Sequence, residues 1–194
     1  MSINEHNLKK PIDHAVSEEN MRLLCKTLYE NDIKIFLMFG TLLGIYRDSK
    51  LIDGDNDIDL AIFSHQKKKF IQLKNNLKKE GFEIINETKS IISIIRLDNH
   101  LDISILHQIN FPLKGWLSGV FFIPKRLISN LGDIDFNGFR YYCPKSPELM
   151  LEFFYGKTWK TPSSGTAKAS FILSLLQNYL PKKLIKYILN LFFK

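Results

Sequence analysis

Apolar residues recur along the chain first at helical and then at strand spacing. Between residues 12 and 31 they recur about every three to four positions, at Val16, Met21, Leu24, Cys25 and Leu28. This spacing predicts a first helix. The apolar run 33–38 predicts a buried strand, and Gly40 interrupts it. Residues 41–47 then predict a short helix with Thr41 near its cap.

The middle of the chain carries the strongest strand patterns. Residues 57–63 alternate acid and apolar positions before becoming fully apolar, which predicts a strand whose first half faces a site. Residues 65–80 predict a lysine-rich amphipathic helix, and 146–155 predict another helix. Further strands are predicted at 82–86, 90–97 and 101–106, with a hairpin turn at 98–99 between the last two. This order of elements indicates an α/β or α+β domain with a mixed sheet flanked by helices.

Composition indicates one folded domain with a terminal appendage. The 194 residues are 45% hydrophobic and 24% charged, as in ordinary globular proteins. Cys25 and Cys143 match no metal-ligand spacing and are expected to be reduced thiols. The N-terminus lacks the apolar core of a signal peptide, and no run reaches the roughly 18 apolar residues of a membrane span. We therefore expect the active part to work in the cytoplasm.

The basic charge of the chain is concentrated in its last segment. The net charge is +7, and residues 157–194 contain lysines but no arginine, aspartate or glutamate. A nucleic-acid-binding domain more often spreads basic groups over its folded face, so we expect no nucleic-acid partner. Residues 169–194 combine an apolar pattern with Lys182, Lys183 and Lys186. Two alternatives stay open for this tail: a helix bound peripherally to an anionic membrane surface, or a helix packed on the core.

Acidic residues crowd into the segment Asp53-Gly54-Asp55-Asn56-Asp57-Ile58-Asp59. An EF-hand calcium loop is excluded, because Ile58 stands where that loop needs glycine and Ser64 where it needs glutamate. Asp57 and Asp59 are two residues apart on a predicted strand, so both carboxylates point to the same face. Such a pair can bind one hard cation, which indicates a Mg²⁺ or Mn²⁺ site for phosphoryl chemistry.

Two other elements strengthen this interpretation. Gly40 and Thr41 join a strand to a helix, where backbone N–H groups and a hydroxyl can bind phosphate. Asp102 is one acid in an apolar strand, and by itself it is typical of a solvated strand face. Beside the other elements it becomes a third candidate metal ligand, since acids holding two metals can stabilise both the attacking and the leaving oxygen.

These motifs resemble the LicD and fukutin-related family. The matching segments are Phe39-Gly40-Thr41-Leu42-Leu43-Gly44-Ile45-Tyr46-Arg47, then Asp55-Asn56-Asp57-Ile58-Asp59, Leu101-Asp102-Ile103, and the Tyr-Gly-x-x-Trp pattern of Tyr155–Trp159. They span roughly residues 21–162 in the family's order. The chain has Gly54-Asp55-Asn56 where the family usually has Trp-Asp-Asp, and it lacks the Phe-Pro that usually follows the strand of Asp102.

The resemblance implies a nucleotidyltransferase fold and a transferase activity. Relatives of this kind move phosphocholine, ribitol phosphate or similar groups from a CDP-linked donor to a glycan or lipid-linked glycan, with release of CMP. By this resemblance residues 1–162 are the catalytic domain and 163–194 the basic tail.

The resemblance also implies roles for particular residues. Asp57 and Asp59 would hold the metals, and Asp102 would complete the site and help to deprotonate the acceptor. The expected substrate-binding residues are Gly40, Thr41, Arg47, Asp55 and Trp159. Arg47 would stabilise phosphate charge or support the acid loop, and Trp159 would close the site or pack in the core.

Two other functions remain open from the sequence. The same acids suit transfer of a whole nucleotide to a small molecule, which would release pyrophosphate instead of CMP. A non-catalytic scaffold recruited to membranes by its tail is the third interpretation.

Overall fold

The computed structural model describes residues 10–110, 114–119 and 121–162. Within these residues five helices surround a mixed sheet. The helices are α1 (His14–Glu30), α2 (Phe39–Asp48), α3 (Lys67–Gln72), α4 (Lys74–Lys79) and α5 (Pro147–Tyr155). The strands are β1 (Phe36–Leu37), β2 (Asp57–Phe63), β3 (Glu83–Glu87), β4 (Ile91–Arg96), β5 (Asn99–Ile109), β6 (Gly115–Ser118), β7 (Phe121–Pro124), β8 (Leu131–Phe136) and β9 (Phe139–Pro144).

The sheet runs in the order β3-β4-β5-β2-β1-β9-β8, and the β6–β7 hairpin extends it from the end of β5. Strands β2 and β5 are parallel, as are β1 and β9, and the other pairs are antiparallel. This architecture confirms the predicted mixed α/β sheet flanked by helices.

The parallel pair of β2 and β5 lies at the centre of the sheet and sets the position of the acids. Asp59 lies directly opposite Asp102, and Asp57 lies opposite His100. Side chains alternate between the two faces of a strand, so these residues share one face. The intervening residues of both strands, Ile58, Leu60, Ile62, Leu101, Ile103 and Ile105, are buried in the hydrophobic core on the other face.

Helix α2 begins two residues before the predicted cap. Its N-cap is Met38, which makes no side-chain capping bond, and its first residue is Phe39. Thr41 therefore lies inside the first turn and is not the cap that was predicted. Its buried hydroxyl accepts a hydrogen bond from the backbone N–H of Asp59, which explains why a cap-forming residue occurs here without capping.

Two other predictions differ in detail from the structure. The single helix predicted over 65–80 is a short 3₁₀ turn followed by α3 and α4, with the break at Leu73. The hairpin between β4 and β5 turns at Leu97 and Asp98, both in the left-handed region with φ of 50° and 57°. That turn is one residue earlier than predicted.

Within the described part of the chain, no helix has the length and hydrophobicity needed to cross a bilayer. The tail 163–194, and with it the choice between membrane binding and core packing, lies outside the described residues.

Candidate active site

Three aspartates of one segment and the distant Asp102 come together beside one face of the sheet. Asp59 and Asp102 are register neighbours on β2 and β5, and Asp102 is close enough to Asp57 for its charge to raise the pKa of the Asp57 carboxyl. Asp55 approaches from the loop before β2 and comes close to Gly40. All four carboxyl groups are half-buried. The structure thus brings together the three predicted metal ligands and Asp55.

The segment from Met38 to Thr41 holds Asp59 through three hydrogen bonds. The N–H of Gly40 donates to Asp59 Oδ2 at 3.0 Å, and the N–H of Asp59 donates to Thr41 Oγ1 at 2.8 Å. The N–H of Met38 donates to the Asp59 carbonyl at 3.1 Å. Gly40 and Thr41, which were predicted to bind phosphate, therefore position Asp59: Gly40 orients its carboxylate and Thr41 holds its backbone.

Phe39 carries the backbone strain that makes this arrangement possible. Its φ of 40° is in the left-handed region, which costs a non-glycine residue on the order of 1–3 kcal/mol. Its ring packs against Phe121 and Phe154, with centroids 5.2 Å and 4.8 Å away, and these contacts stabilise the conformation. The sharp turn between β1 and α2 directs the Gly40 N–H at Asp59.

The two glycines of the Gly-Thr-Leu-Leu-Gly motif permit close approach of the acid loop. A Cβ at Gly40 would lie 2.7 Å from Asp55 Oδ2 and 3.3 Å from Asp59 Oδ2. A Cβ at Gly44 would lie 2.6 Å from the carbonyl oxygen of Lys50. A side chain at Gly44 would push the backbone after helix α2 away, whereas one at Gly40 would displace the carboxylates of Asp55 and Asp59.

Within the described residues, no lysine, arginine or histidine forms an ion pair with the acid cluster. Burial, followed by the charges of Asp102 and Asp55, raises the pKa of Asp57 to about 7. Burial and the charge of Asp57 raise the pKa of Asp59 well above its usual value, although the Gly40 N–H opposes this shift. Burial also raises the pKa of Asp55. Among the described residues, none of the four carboxylates belongs to an ion pair.

This donor set fits a hard divalent cation. Carboxylate oxygens without a cationic partner, held on one face by a rigid strand pair, are the ligands that Mg²⁺ and Mn²⁺ prefer. In the part of the chain that is described, no group of three or more aspartate, glutamate, histidine or cysteine side chains is so arranged that it could hold a metal ion as it stands. The charge of Asp102 raises the pKa of Asp57, and a cation between the two carboxylates would offset this repulsion.

A cleft of about 1240 Å³ opens beside the acids, and we refer to it as the large cleft. Its lining includes Gly40, Arg47, Lys50, Asp59, Asp102 and Tyr155. Arg47 and Lys50 also line the cleft, and each is paired there with an aspartate of the same lining, Asp48 and Asp53 respectively. With these donor groups beside the acid cluster, the cleft can hold a phosphate-bearing ligand against a metal ion.

Arg47 and Trp159 are linked, but only Arg47 lines the cleft. The Arg47 guanidinium contacts the Asp48 carboxylate at 2.7 Å and donates to the Trp159 carbonyl at 3.3 Å. Trp159 is 7% exposed and packs against Tyr46, with ring centroids 6.0 Å apart. Of the two expectations for Trp159, core packing is the one that describes its position.

Sequence reasoning did not identify Tyr155, Lys50 or His100 as site residues. Burial and the charges of Asp59 and Asp55 raise the pKa of the Tyr155 phenol, which lines the large cleft. Tyr155 begins the Tyr-Gly-x-x-Trp segment, so a signal was present. His100 is brought beside Asp57 only by the strand register, which no local pattern predicts.

Comparison with known proteins supports the same assignment of fold. The chain is similar to the lincosamide antibiotic adenylyltransferase LnuA in its lincomycin-bound structure: TM-score 0.50, 17% identity, 72% of this chain and 86% of that chain covered. It is also similar to ANT(2")-Ia in complex with adenylyl-2"-tobramycin: TM-score 0.52, 14% identity, 92% and 97% covered. The solution structure of ANT(2'')-Ia gives a TM-score of 0.51 at 13% identity, with 89% and 88% covered. At these identities the similarity shows a shared fold, that of the nucleotidyltransferases.

The family assignment rests on the sequence itself. No curated protein shows significant similarity to the chain. The family model described as LicD/FKTN/FKRP, nucleotidyltransferase domain, matches residues 32–146, a segment that contains the Gly-Thr-Leu-Leu-Gly motif and the aspartates of the site. Family and fold together support a role as a transferase of the phosphotransferase or nucleotidyltransferase kind. The chain belongs to the LicD/FKTN/FKRP nucleotidyltransferase-domain family.

Proposed function

We propose that this protein transfers a phospho-alcohol group, of the phosphocholine or ribitol-phosphate type, from a CDP-linked donor to a hydroxyl of a cell-surface glycan. The observation that carries the proposal is the acid cluster of Asp57, Asp59 and Asp102 beside a cleft that contains Arg47 and Lys50, in a domain of the LicD family. CMP is the expected second product.

In this proposal, basic residues bind the donor and aspartates bind the metal. Arg47 and Lys50 would face the negatively charged diphosphate of the donor in the large cleft. Asp57, Asp59 and Asp102 would hold Mg²⁺ or Mn²⁺, and the ion would supply charge neutralisation at the phosphate oxygens. Gly40 and Thr41 fix the Asp59 carboxylate and so preserve the geometry of the cluster.

Asp102 is the residue proposed to take the proton of the acceptor. A bond forms between the acceptor hydroxyl oxygen and the distal phosphorus, and the bond from this phosphorus to the bridging oxygen breaks. The acceptor proton passes to an Asp102 carboxylate oxygen, and the electron pair of the broken bond leaves on CMP. Asp102 suits this role because it borders both the large cleft and a second cavity beside it.

Transfer of a whole nucleotide is a second candidate. LnuA is a lincosamide antibiotic adenylyltransferase, and one ANT(2")-Ia structure contains adenylyl-2"-tobramycin. The same acids would then serve attack at the α-phosphorus of a nucleoside triphosphate, with pyrophosphate as the leaving group.

A product assay distinguishes these functions. The protein is first screened by thermal shift with CDP-choline, CDP-ribitol, CDP-glycerol and ATP, each with Mg²⁺, because a ligand that binds the folded state raises the melting temperature. Acceptor-dependent release of CMP, absent in Asp59→Asn, supports the proposal, and pyrophosphate supports nucleotide transfer. No melting shift and no product with any donor would leave the non-catalytic scaffold as the remaining interpretation.

We further propose that the enzyme acts on the cytoplasmic side of the membrane. The support is the lysine-rich sequence 169–194, which suits contact with anionic head groups. A lipid-linked glycan acceptor would be reached at the same surface.

A further inference from the structure

A second cavity of about 410 Å³ adjoins the acid cluster, and we refer to it as the small cavity. Its polar lining consists of Asn56, Asp57, Asn86, Ser93, His100 and Asp102. No lysine or arginine occurs among the described residues that line it. Its volume is at the lower end of ordinary ligand sites, and it has room for a sugar ring.

The small cavity and the large cleft lie on the two sides of Asp102. Along β2 and β5, the small cavity borders Asp57 and His100, whereas the large cleft borders Asp59 and Ser104. Asp102 lines both. Two ligands, one in the small cavity and one in the large cleft, would therefore meet at the acid cluster.

His100 is the distinctive group of the small cavity. Only 5% of the residue is exposed, and its Nε2 atom has no hydrogen-bond partner within the described part of the protein. An unpartnered polar atom in a buried position is unfavourable, and such atoms are few in folded proteins. The imidazole belongs to the lining of the small cavity, so a rotation of the ring would bring the buried Nε2 to a ligand bound there.

We propose that the small cavity is the subsite for the acceptor, and that it binds a neutral sugar or polyol through its hydroxyl groups. His100 Nε2, the Asn86 amide and the Ser93 hydroxyl would hydrogen-bond to the ligand. This inference rests on the proposed function, since it takes the second reactant to be a hydroxyl-bearing acceptor. His100 acts as a binding and positioning residue and exchanges no proton with the reacting atoms.

The geometry of displacement at phosphorus supports this assignment. The attacking and leaving oxygens lie roughly in line on opposite sides of the transferred phosphorus. If the nucleotide leaves from the large cleft, the acceptor must approach from the other side of the acids, where the small cavity lies. Asp102, on the boundary, is then placed beside the attacking hydroxyl.

The charge of the small cavity also favours a neutral ligand. Asp57 and Asp102 contribute carboxylates to its lining, and its other polar groups are amides, a hydroxyl and an imidazole. A phosphate would be repelled there, whereas sugar hydroxyls can donate to the carboxylates and accept from the amides.

Saturation-transfer NMR tests the assignment directly. The probes are methyl β-galactopyranoside, N-acetylgalactosamine, ribitol and choline, each at millimolar concentration with Mg²⁺ and CDP. We expect saturation transfer to at least one sugar or polyol in the wild type, a loss in His100→Leu, and partial recovery in His100→Gln, whose amide can replace the ring nitrogen. His107→Leu is the matched control: this histidine of the same strand donates from Nε2 to the Lys89 carbonyl at 2.8 Å and lines neither cavity.

Kinetics give a second readout that a purely structural role would not produce. With a CDP donor that releases CMP, His100→Leu should raise the KM for the acceptor about 3- to 10-fold, the effect of one neutral hydrogen bond, and leave the KM for the donor unchanged. Ser93→Ala, a smaller change in the same cavity, should act in the same direction. If His100→Leu does not fold, Ser93→Ala alone tests whether the small cavity sets the KM for the acceptor.

The outcomes separate this inference from the proposed function. If CDP binds and the sugar signal survives in both His100→Leu and Ser93→Ala, the acceptor subsite is elsewhere. Saturation transfer to choline alone would assign the cavity to the donor alcohol, and no transfer to any sugar or polyol would also overturn the proposal. If sugar binding depends on His100 but no CDP compound binds or reacts, the proposed donor is wrong and the subsite remains.

Discussion

Replacement of Asp57 by asparagine should stabilise the metal-free protein while abolishing transfer. The folded structure raises the pKa of Asp57 from 3.8 to about 7, mainly by burial and the charges of Asp102 and Asp55. The folded state therefore binds the Asp57 proton more tightly than the unfolded state does. The resulting contribution to the free energy of unfolding is fully present below pH 3.8 and is lost as the pH rises through about 7. Asparagine is neutral at every pH, and its amide can donate to the Asp102 carboxylate.

The magnitude follows from the size of the pKa shift. Each pH unit between the two pKa values changes the free energy of unfolding by about 1.4 kcal/mol, so the full effect at about pH 8 has an upper limit of about 4 kcal/mol. The side chain is half-buried, and solvent around it lowers the expected stabilisation to about 2 kcal/mol. At about pH 5 the charged carboxylate destabilises the wild type only in part, so the stabilisation by Asp57→Asn should be less than half of that at about pH 8.

Urea unfolding in EDTA, at about pH 5 and about pH 8, measures this difference. Asp53→Asn is the matched control, because Asp53 belongs to the same loop but is exposed and has its pKa lowered by Lys50. That variant should not be stabilised at the higher pH. In the wild type at about pH 8, Mg²⁺ should raise the melting temperature, and this increase should be much smaller in Asp57→Asn. Equal effects of Asp57→Asn at both pH values, or destabilisation at about pH 8, would refute the account of an uncompensated acid cluster.

Two other perturbations test the site and the tail. Gly40→Ala should lower the transfer rate at least about tenfold, because its Cβ would lie 2.7 Å from Asp55 Oδ2 and shift the acid loop. Gly132→Ala, whose Cβ meets its nearest atom at 3.4 Å, should be near neutral in the same assay. The full-length protein should float with anionic vesicles and lose this binding at high salt, whereas a protein truncated after Pro162 should not float. Absence of flotation together with a collapsed melting temperature of the truncated protein would assign the tail to the core.

Local chain geometry explains what the sequence could predict about the site. The two-residue period of a strand places Asp57 and Asp59 on one face wherever that strand lies in the fold, and their separation is set by the backbone. The apolar periods likewise located α1 and α5 and the strands from β2 to β5 to within a few residues. Asp102 became a candidate only beside the other motifs, and the family resemblance then supported it, because no local pattern distinguishes this acid from one on a solvated strand face.

Only the tertiary structure decided how these pieces meet. The parallel register of β2 and β5 places Asp102 beside Asp59 and His100 beside Asp57, and it depends on which strand pairing buries the apolar faces of both strands. The bonding of Thr41 illustrates the same limit: its hydroxyl pairs with a backbone N–H 18 residues away, which local capping preferences could not predict. The pKa shifts of Asp57 and Asp59 also arise from burial and from neighbours that the fold assembles. A sequence sets the direction of each side chain along its own element, but contacts between elements follow from packing the whole core, and this packing creates the acid cluster and both cavities.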